Sequence, residues 1–548
     1  MSNTQSNYVY EKYKKYMIKY LDSIEEPFLN NSTIGYGNGI ENESFIIIPN
    51  ESKGNILKIL CPTQNIYDNK ELQDDLINKI EQNGYTLTPT ELKYIKKNYE
   101  TVMFEGSSKL NICDNNPTMF EITTKNYQKS IDELVTELIE NKDMLINLLK
   151  KSTNKQLRFY NGEYYELLEG DGQNYDYIGS YHFNMTLPHI RDKNIENMKC
   201  IYTGNRTNLG IFDVEFFQKH KNFAIALQYF EPLLLGVYGL PDVTSFTTEN
   251  KSLASFRIFN SASVFINSTS LKQLNFVSNS RNIEGLSAEN FINKTDFQNL
   301  KQNIFNYTTN IKRIVNYPNF ATNNIGTDIR TSKSDPEKVK KDCFGFELRI
   351  SDNFNIEFVT EYFKFLLLIA YYIEFNNIDL INNNIDPYFD QSIHKIINNI
   401  ISSGWASKID NDYVLMINSV YKFNMPVQIY TCYEYLNKVN EIVCGYYSTH
   451  TSNNLHLFEK KLFDAYHKII GNVIPNIGCP NRDYASKILI KLIEKHPDIK
   501  EWILSIKTQQ TNQSQQIKSL INDNLNIFKH SNKETIELNI HHILQIIN

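Results

Sequence analysis

Charged or metal-competent residues recur two apart in three short stretches of this chain, and in two of them the intervening and flanking residues are apolar. Successive strand residues point to opposite faces, so each stretch predicts a β-strand that gathers its paired polar residues on one face. The first is Ile40 to Ile48, ended by Pro49-Asn50-Glu51-Ser52, where Glu41, Glu43, Phe45 and Ile47 share a face. In the second, His182, Asn184 and Thr186 oppose Tyr181, Phe183, Met185 and Leu187, and Pro188 is expected to stop the strand. In the third, Gly345, Glu347, Arg349 and Ser351 oppose Phe344, Phe346, Leu348 and Ile350. The apolar faces are expected to be buried and the polar faces to line the mouth of a site. Met119 to Thr123 and Ser255 to Ile266 read as further strands.

Helical spacing appears elsewhere. It predicts helices over Tyr8 to Leu21, Lys70 to Gln82 and Ser130 to Lys151, the last with Ile131, Leu134, Leu138, Leu145 and Leu149 on one stripe. A longer pattern, Val214 to Tyr238, contains Pro232, where a kink or restart is expected. Beyond Glu357 the pattern is mainly helical: Glu357 to Phe375, Gln391 to Ser402, Tyr433 to Val443, Leu455 to Ile470 and Asp483 to Glu494. Turn-rich segments lie at Tyr36 to Gly39 and Tyr160 to Gly179, and Gln509 to Gln516 is low in complexity. The organisation read from this is a catalytic core over 1–375, a mainly helical region packed on it over 376–507, and a polar linker with a short terminal segment over 508–548.

Composition changes this picture only at its edges. A chain of 548 residues, 41% hydrophobic, can bury a large core. Its formal charge of -6 gives no reason to expect nucleic acid or an anionic membrane as partner. The start is polar, and the apolar run at Phe365 to Ala370 is too short to span a bilayer. The seven cysteines, Cys61, Cys113, Cys200, Cys343, Cys432, Cys444 and Cys479, form no C-x-x-C pair, which fits reduced thiols in a cytoplasmic compartment. Abundant Asn and Lys match an AT-rich coding bias, so asparagine runs carry little weight. No repeat of solenoid period is present.

The chemistry lies on the polar strand faces. Two carboxylates about 7 Å apart along a strand can each serve a different Mg²⁺, which prefers oxygen ligands. An imidazole can ligate a metal or meet a phosphate, and an asparagine amide can hold a ribose or carboxylate. Glu347 is a further ligand candidate, and the planar fork of Arg349 suits two phosphate oxygens at once. Each motif alone also fits an ordinary half-exposed strand.

Taken in order, the motifs resemble the carboxylate-amine ligases of the glutamine synthetase fold, most closely glutamate-cysteine ligase. Gly39, Glu41 and Glu43 match its G-x-E-x-E; His182, Asn184, Thr186, Leu187 and Pro188 its H-x-N and following S/T-L-P; Glu347, Arg349 and Asp352 its E-x-R and following acid. Asp114 with Glu121-Ile122-Thr123, and Gln228 to Asp242 followed by Ser255-Phe256-Arg257, are similar to intervening segments. Arg330 stands where that fold carries a phosphate-contacting arginine.

The resemblance implies an α+β fold, a curved antiparallel sheet forming a bowl with helices on its outer face. It implies two or three Mg²⁺ ions, or Mn²⁺, held by Glu41, Glu43, Asp114, Glu121, His182 and Glu347. ATP would be bound by His182, Asn184, Arg330 and Arg349, with Arg257, Arg330 and Arg349 stabilising the transferring phosphoryl group. The reaction would join a carboxylate, by analogy glutamate, to an amine acceptor such as cysteine through an acyl phosphate, as in glutathione biosynthesis. Rival readings are a two-metal nucleotidyltransferase or nuclease, a non-catalytic relative acting as an interaction or structural protein, and a ligase whose substrate is a protein side chain.

Overall fold

The computed structural model describes residues 32–48, 69–98, 102–105, 119–124, 128–159, 180–192, 211–240, 346–380, 395–396, 399–400 and 403–484. In chain order the elements are β1 (Ser32–Ile47), α1 (Asn69–Gln82), α2 (Pro89–Asn98), β2 (Val102–Glu105), β3 (Met119–Thr123), α3 (Ile131–Thr153), β4 (Arg158–Phe159), β5 (Ser180–Asp192) and α4 (Ile211–Tyr238). There follow β6 (Phe346–Asp352), α5 (Val359–Phe375), β7 (Lys408–Ile409), α6 (Asn411–Tyr421), β8 (Tyr430–Thr431), α7 (Cys432–Thr449) and α8 (Leu457–Ile470).

The architecture is α+β. Five strands run in the order β2-β3-β1-β5-β6, with β4 pairing the far end of β1, and the described pairings within this sheet are antiparallel. The path ends at β2 and β6. Among the described residues the sheet is therefore open, and the closed, curved bowl expected from the motifs is not formed.

Two strands run past their expected limits for one local reason. The stretch Tyr36 to Gly39, expected to be turn-rich, lies within β1, where Gly37 to Gly39 pair with Thr186 to Asn184 of β5. Pro188 does not stop β5, because the register jumps between Gly35 and Gly37 and leaves Pro188 at an irregularity, where no ladder donor is required. The neighbouring Leu187 N–H donates to His220 Nε2 at 2.9 Å instead.

The expected separation of faces holds for the apolar side. Phe183 packs on Tyr362 and Phe363 of α5, with ring centroids 4.9 and 5.0 Å apart, and Tyr181 packs on Phe354 at 5.0 Å. Lys142 of α3 reaches Asn42 from the same side, and Lys468 of α8 lies over the Tyr36 ring. The apolar cluster built on this face is continuous from Tyr36 to Tyr484 and includes Leu227, Leu233, Leu366, Tyr413, Leu436 and Tyr466.

The helices begin where side chains can cap them. Ser130 with Glu133 and Thr431 with Glu434 form capping boxes at α3 and α7, and Asp410 accepts from Tyr413 N at 3.1 Å at the start of α6. Helix α4 runs through Pro232 without a restart. Two carbonyls in the turns before it receive side-chain donors, Tyr421 Oη to Ala226 O at 2.8 Å and Tyr413 Oη to Tyr229 O at 2.5 Å. Leu233, Leu234 and Leu235 are buried just beyond the proline, so packing outweighs its intrinsic penalty of about 3 kcal/mol.

The helices expected at Tyr8 to Leu21 and the strand at Ser255 to Ile266 lie outside the described residues. Those expected at Gln391 to Ser402 and Asp483 to Glu494 lie largely outside them. Among the described residues no helix is long and apolar enough to cross a membrane.

Candidate functional site

Register brings the polar strand residues together. Glu43 stands opposite Glu121, Glu41 opposite His182, Glu43 opposite Ser180, Gly39 opposite Asn184, and Asn184 opposite Glu347. Directly opposed residues share a face, so positions 41, 43, 121, 182, 184 and 347 occupy one face across four adjacent strands. At about 4.8 Å per strand they span roughly 15 Å.

This face is closed, not an open mouth. Glu43, Ser180 and His182 are completely buried, and Glu41 is 6% exposed. The His182 ring sits between the two carboxylates, with Nδ1 3.3 Å from Glu41 Oε2 and Nε2 3.4 Å from Glu43 Oε2. Ser180 donates its hydroxyl to Glu43 Oε2, and its Oγ lies 2.9 Å from His182 Nε2. Asn184 Nδ2 donates to Glu41 Oε1 at 2.9 Å.

The Ser180 hydrogen is directed at Glu43, so the hydroxyl pairs with a carboxylate. This is not the arrangement of a nucleophilic serine, whose hydrogen must point at the histidine.

A second network lies directly behind the first. Lys142 Nζ donates to Asn42 Oδ1 at 2.8 Å, and Asn42 Nδ2 donates to Asn353 Oδ1 at 2.8 Å, Ser180 O at 3.3 Å and Glu43 O at 3.4 Å. Burial lowers the Lys142 ammonium to about 8, and its other neighbour is the Phe159 ring, 4.9 Å away. The asparagine thus ties together the backbones that carry Glu43 and Ser180.

Sequence reasoning missed Ser180, Asn42 and Lys142. Ser180 was accessible to it, two residues before His182 and hence on the same face. A contact between positions 42 and 142 has no signal in a single sequence.

On β6 the alternation breaks. The register shifts between Tyr181 and Phe183, so Leu348 faces Phe183 while Ser351 faces Tyr181. Ser351 is thereby turned to the helical side, where it donates to Tyr362 Oη at 2.7 Å, and does not share the Glu347 face as the simple alternation predicts. Asp352 accepts from Leu240 N at 2.8 Å and ties β6 to the end of α4. The strand backbone places Glu121, Glu347 and Arg349; Asp114, Arg257 and Arg330 lie outside the described residues.

Among the described residues no group of three or more histidines, cysteines or carboxylates is arranged to hold a metal ion. The multi-metal cluster expected for acyl-phosphate chemistry is therefore not formed there, since Glu41 and Glu43 are hydrogen-bonded to the imidazole.

No known family profile matches the chain. It is 24% identical over 451 residues, 73% of its own length and 71% of the relative's, to an uncharacterized protein, R704, of Acanthamoeba polyphaga mimivirus. The resemblance to carboxylate-amine ligases drawn from the motifs is thus not upheld, nor are the activity and the glutamine synthetase fold it implied: the sheet is open, no ligase profile matches, and no metal cluster stands ready.

Proposed function

We propose that the polar face of the sheet binds a divalent cation, Mg²⁺ or Mn²⁺, which in turn holds an anionic small molecule, with the phosphates of ATP the first ligand to try. The convergence of Glu41, Glu43, Glu121, His182 and Glu347 on one face of adjacent strands carries this reading. Carboxylates are the hard oxygen donors such ions prefer. Arg349 on β6 is proposed to meet the anion, and Asp114, Arg257 and Arg330 join the proposal on their sequence spacing alone. A net charge of -6 supports a small-molecule partner over nucleic acid. The free, buried thiols of Cys432, Cys444 and Cys479 support a reducing, cytoplasmic setting.

A second reading is favoured by the hydrogen bonds already in place around His182: a purely structural Glu-His-Glu cluster that binds nothing. Titration of the full chain with Mn²⁺, followed by electron paramagnetic resonance and calorimetry, separates the two. On the first reading the protein binds Mn²⁺, Mg²⁺ competes, and Glu41→Gln and Glu43→Gln each weaken binding roughly tenfold or more. Absence of binding to the parent, or equal binding by both variants, would establish the structural reading.

A further inference from the structure

Away from the polar face of the sheet, one hydroxyl joins three helices through two histidines. Tyr371 of α5 is buried, and its Oη lies 2.7 Å from Nδ1 of His450, just past the last turn of α7, and 3.5 Å from Nε2 of His467 in the last turn of α8. Both imidazoles are half-buried and stacked, His467 on Tyr447 at 4.1 Å and His450 on Tyr446 at 5.0 Å between centroids. Phe375, Phe463 and Tyr466 pack around the Tyr371 ring.

The supply of protons limits this arrangement. The hydroxyl has one hydrogen, and the two imidazoles are its hydrogen-bond partners among the described residues. The hydrogen therefore goes to a ring nitrogen that carries none, while the other ring can donate to the oxygen. Protonating both rings leaves the hydroxyl hydrogen without an acceptor and brings two positive charges to one oxygen.

The groups around the pair do not offset this. Glu459 of α8 attracts a proton to His450 but is engaged by His456, and exposed Asp464 does the same for His467. Glu374 of α5 is paired with Lys219 of α4, and Lys468 of α8 is turned to Tyr36. From α7, the Tyr446 and Tyr447 hydroxyls donate to Phe375 O and Gly471 O. Burial outweighs both acids and holds each imidazole below its ordinary 6.5.

We infer that Tyr371, His450 and His467 form an acid-sensitive latch, which joins α5, α7 and α8 while at least one imidazole is neutral and lets the α7–α8 corner open when both take protons. Because α8 also sets Lys468 over Tyr36 of β1, opening loosens one support of the sheet. The latch is independent of whatever the polar face binds. The closed values are the depressed ones, so the opened chain binds more protons below pH 6.5. The contribution of the latch is complete above that pH and is lost as pH falls through the closed-state values.

Hydrogen exchange of the full chain, followed by mass spectrometry at pH 7.5 and 5.5 with intrinsic rates normalised out, tests this. Peptides covering 446–470 should exchange about tenfold faster at the lower pH, and those of α3 should not. The double variant His450→Asn, His467→Gln puts amides that do not titrate near the Nδ1 and Nε2 positions, so it should keep the protection seen at pH 7.5 and lose the response. Tyr371→Phe removes the shared oxygen and should exchange at the fast rate at both pH values. Equal protection of 446–470 at the two pH values in the parent, or an undiminished response in both variants, would overturn the inference and leave the three side chains to packing alone.

Discussion

Lys142 shows how one buried residue sets a cost that the polar face requires. Its ammonium is fully enclosed, faces an amide oxygen and an aromatic ring, and is lowered from 10.5 to about 8 by desolvation. Because the folded value is the depressed one, the unfolded chain binds more protons between pH 8 and 10.5. The penalty is fully present below pH 8 and is relieved as pH rises through that window. Lys142→Met should remove it, so the variant's advantage over the parent should be greatest below pH 8 and shrink by about 2–3 kcal/mol by pH 10.5. Near neutrality part of the gain is lost, since Asn42 Oδ1 is left without its donor. Urea unfolding of both proteins at pH 7, 8, 9 and 10 measures the difference directly; a constant difference across the series would show that Lys142 does not titrate there. Asn42 explains why so costly a lysine is kept, because the amide it orients holds the backbones under Glu43 and Ser180.

At the scale of elements, the parts legible in the sequence were those set by local periodicity. The helices around 131–153 and 359–375 and the strand cores at Glu41, Glu121, His182 and Glu347 follow from spacing and caps a few residues apart. What stayed hidden was decided by partners far along the chain. The Tyr36 to Gly39 part of β1 looks like a turn by composition and is a strand because β5 lies beside it; α6 is a short helix held by Tyr413 and Tyr421 donating into α4. The face of Ser351 depends on a register shift that only the β5 pairing reveals. Gly236 of α4 is a similar case, since glycine in a helix interior normally costs about 1 kcal/mol. A Cβ there would stand 2.7 Å from Cys432 Sγ, 3.1 Å from Ile400 Cγ2 and 3.3 Å from Gly404 O. Gly236→Ala should therefore destabilise by about 1–2 kcal/mol despite its better propensity. Cys432→Ala should cost less in that background than in the parent, a coupling that a double-mutant cycle reads by denaturant unfolding. Additive effects would place the strain elsewhere.

Across the whole molecule, the remote halves of the chain meet at a carboxylate that no motif marks. Glu361, in the first turn of α5, accepts from Tyr238 Oη at the end of α4 at 2.9 Å and from Gly478 N at 2.8 Å. The close approach of that third segment is specific, because a Cβ at Gly478 would fall 2.3 Å from the Phe358 ring. Burial raises the Glu361 carboxyl from 4.5 to about 7, while its two hydrogen bonds pull the other way. A raised folded value means that the native state binds the extra proton between pH 4.5 and 7. The stabilisation is complete below pH 4.5 and is lost as pH rises toward 7. Glu361→Gln keeps the acceptor oxygen for both donors and removes the titration. Relative to the parent, the variant should gain about 1–2 kcal/mol between pH 5 and 8, a figure reduced from the full shift because the group is only partly enclosed. Unfolding in urea at pH 5, 6, 7 and 8 checks it. Parallel curves would mean that the three segments are held by packing alone, whereas converging curves at low pH would identify Glu361 as the point where protonation strengthens their union.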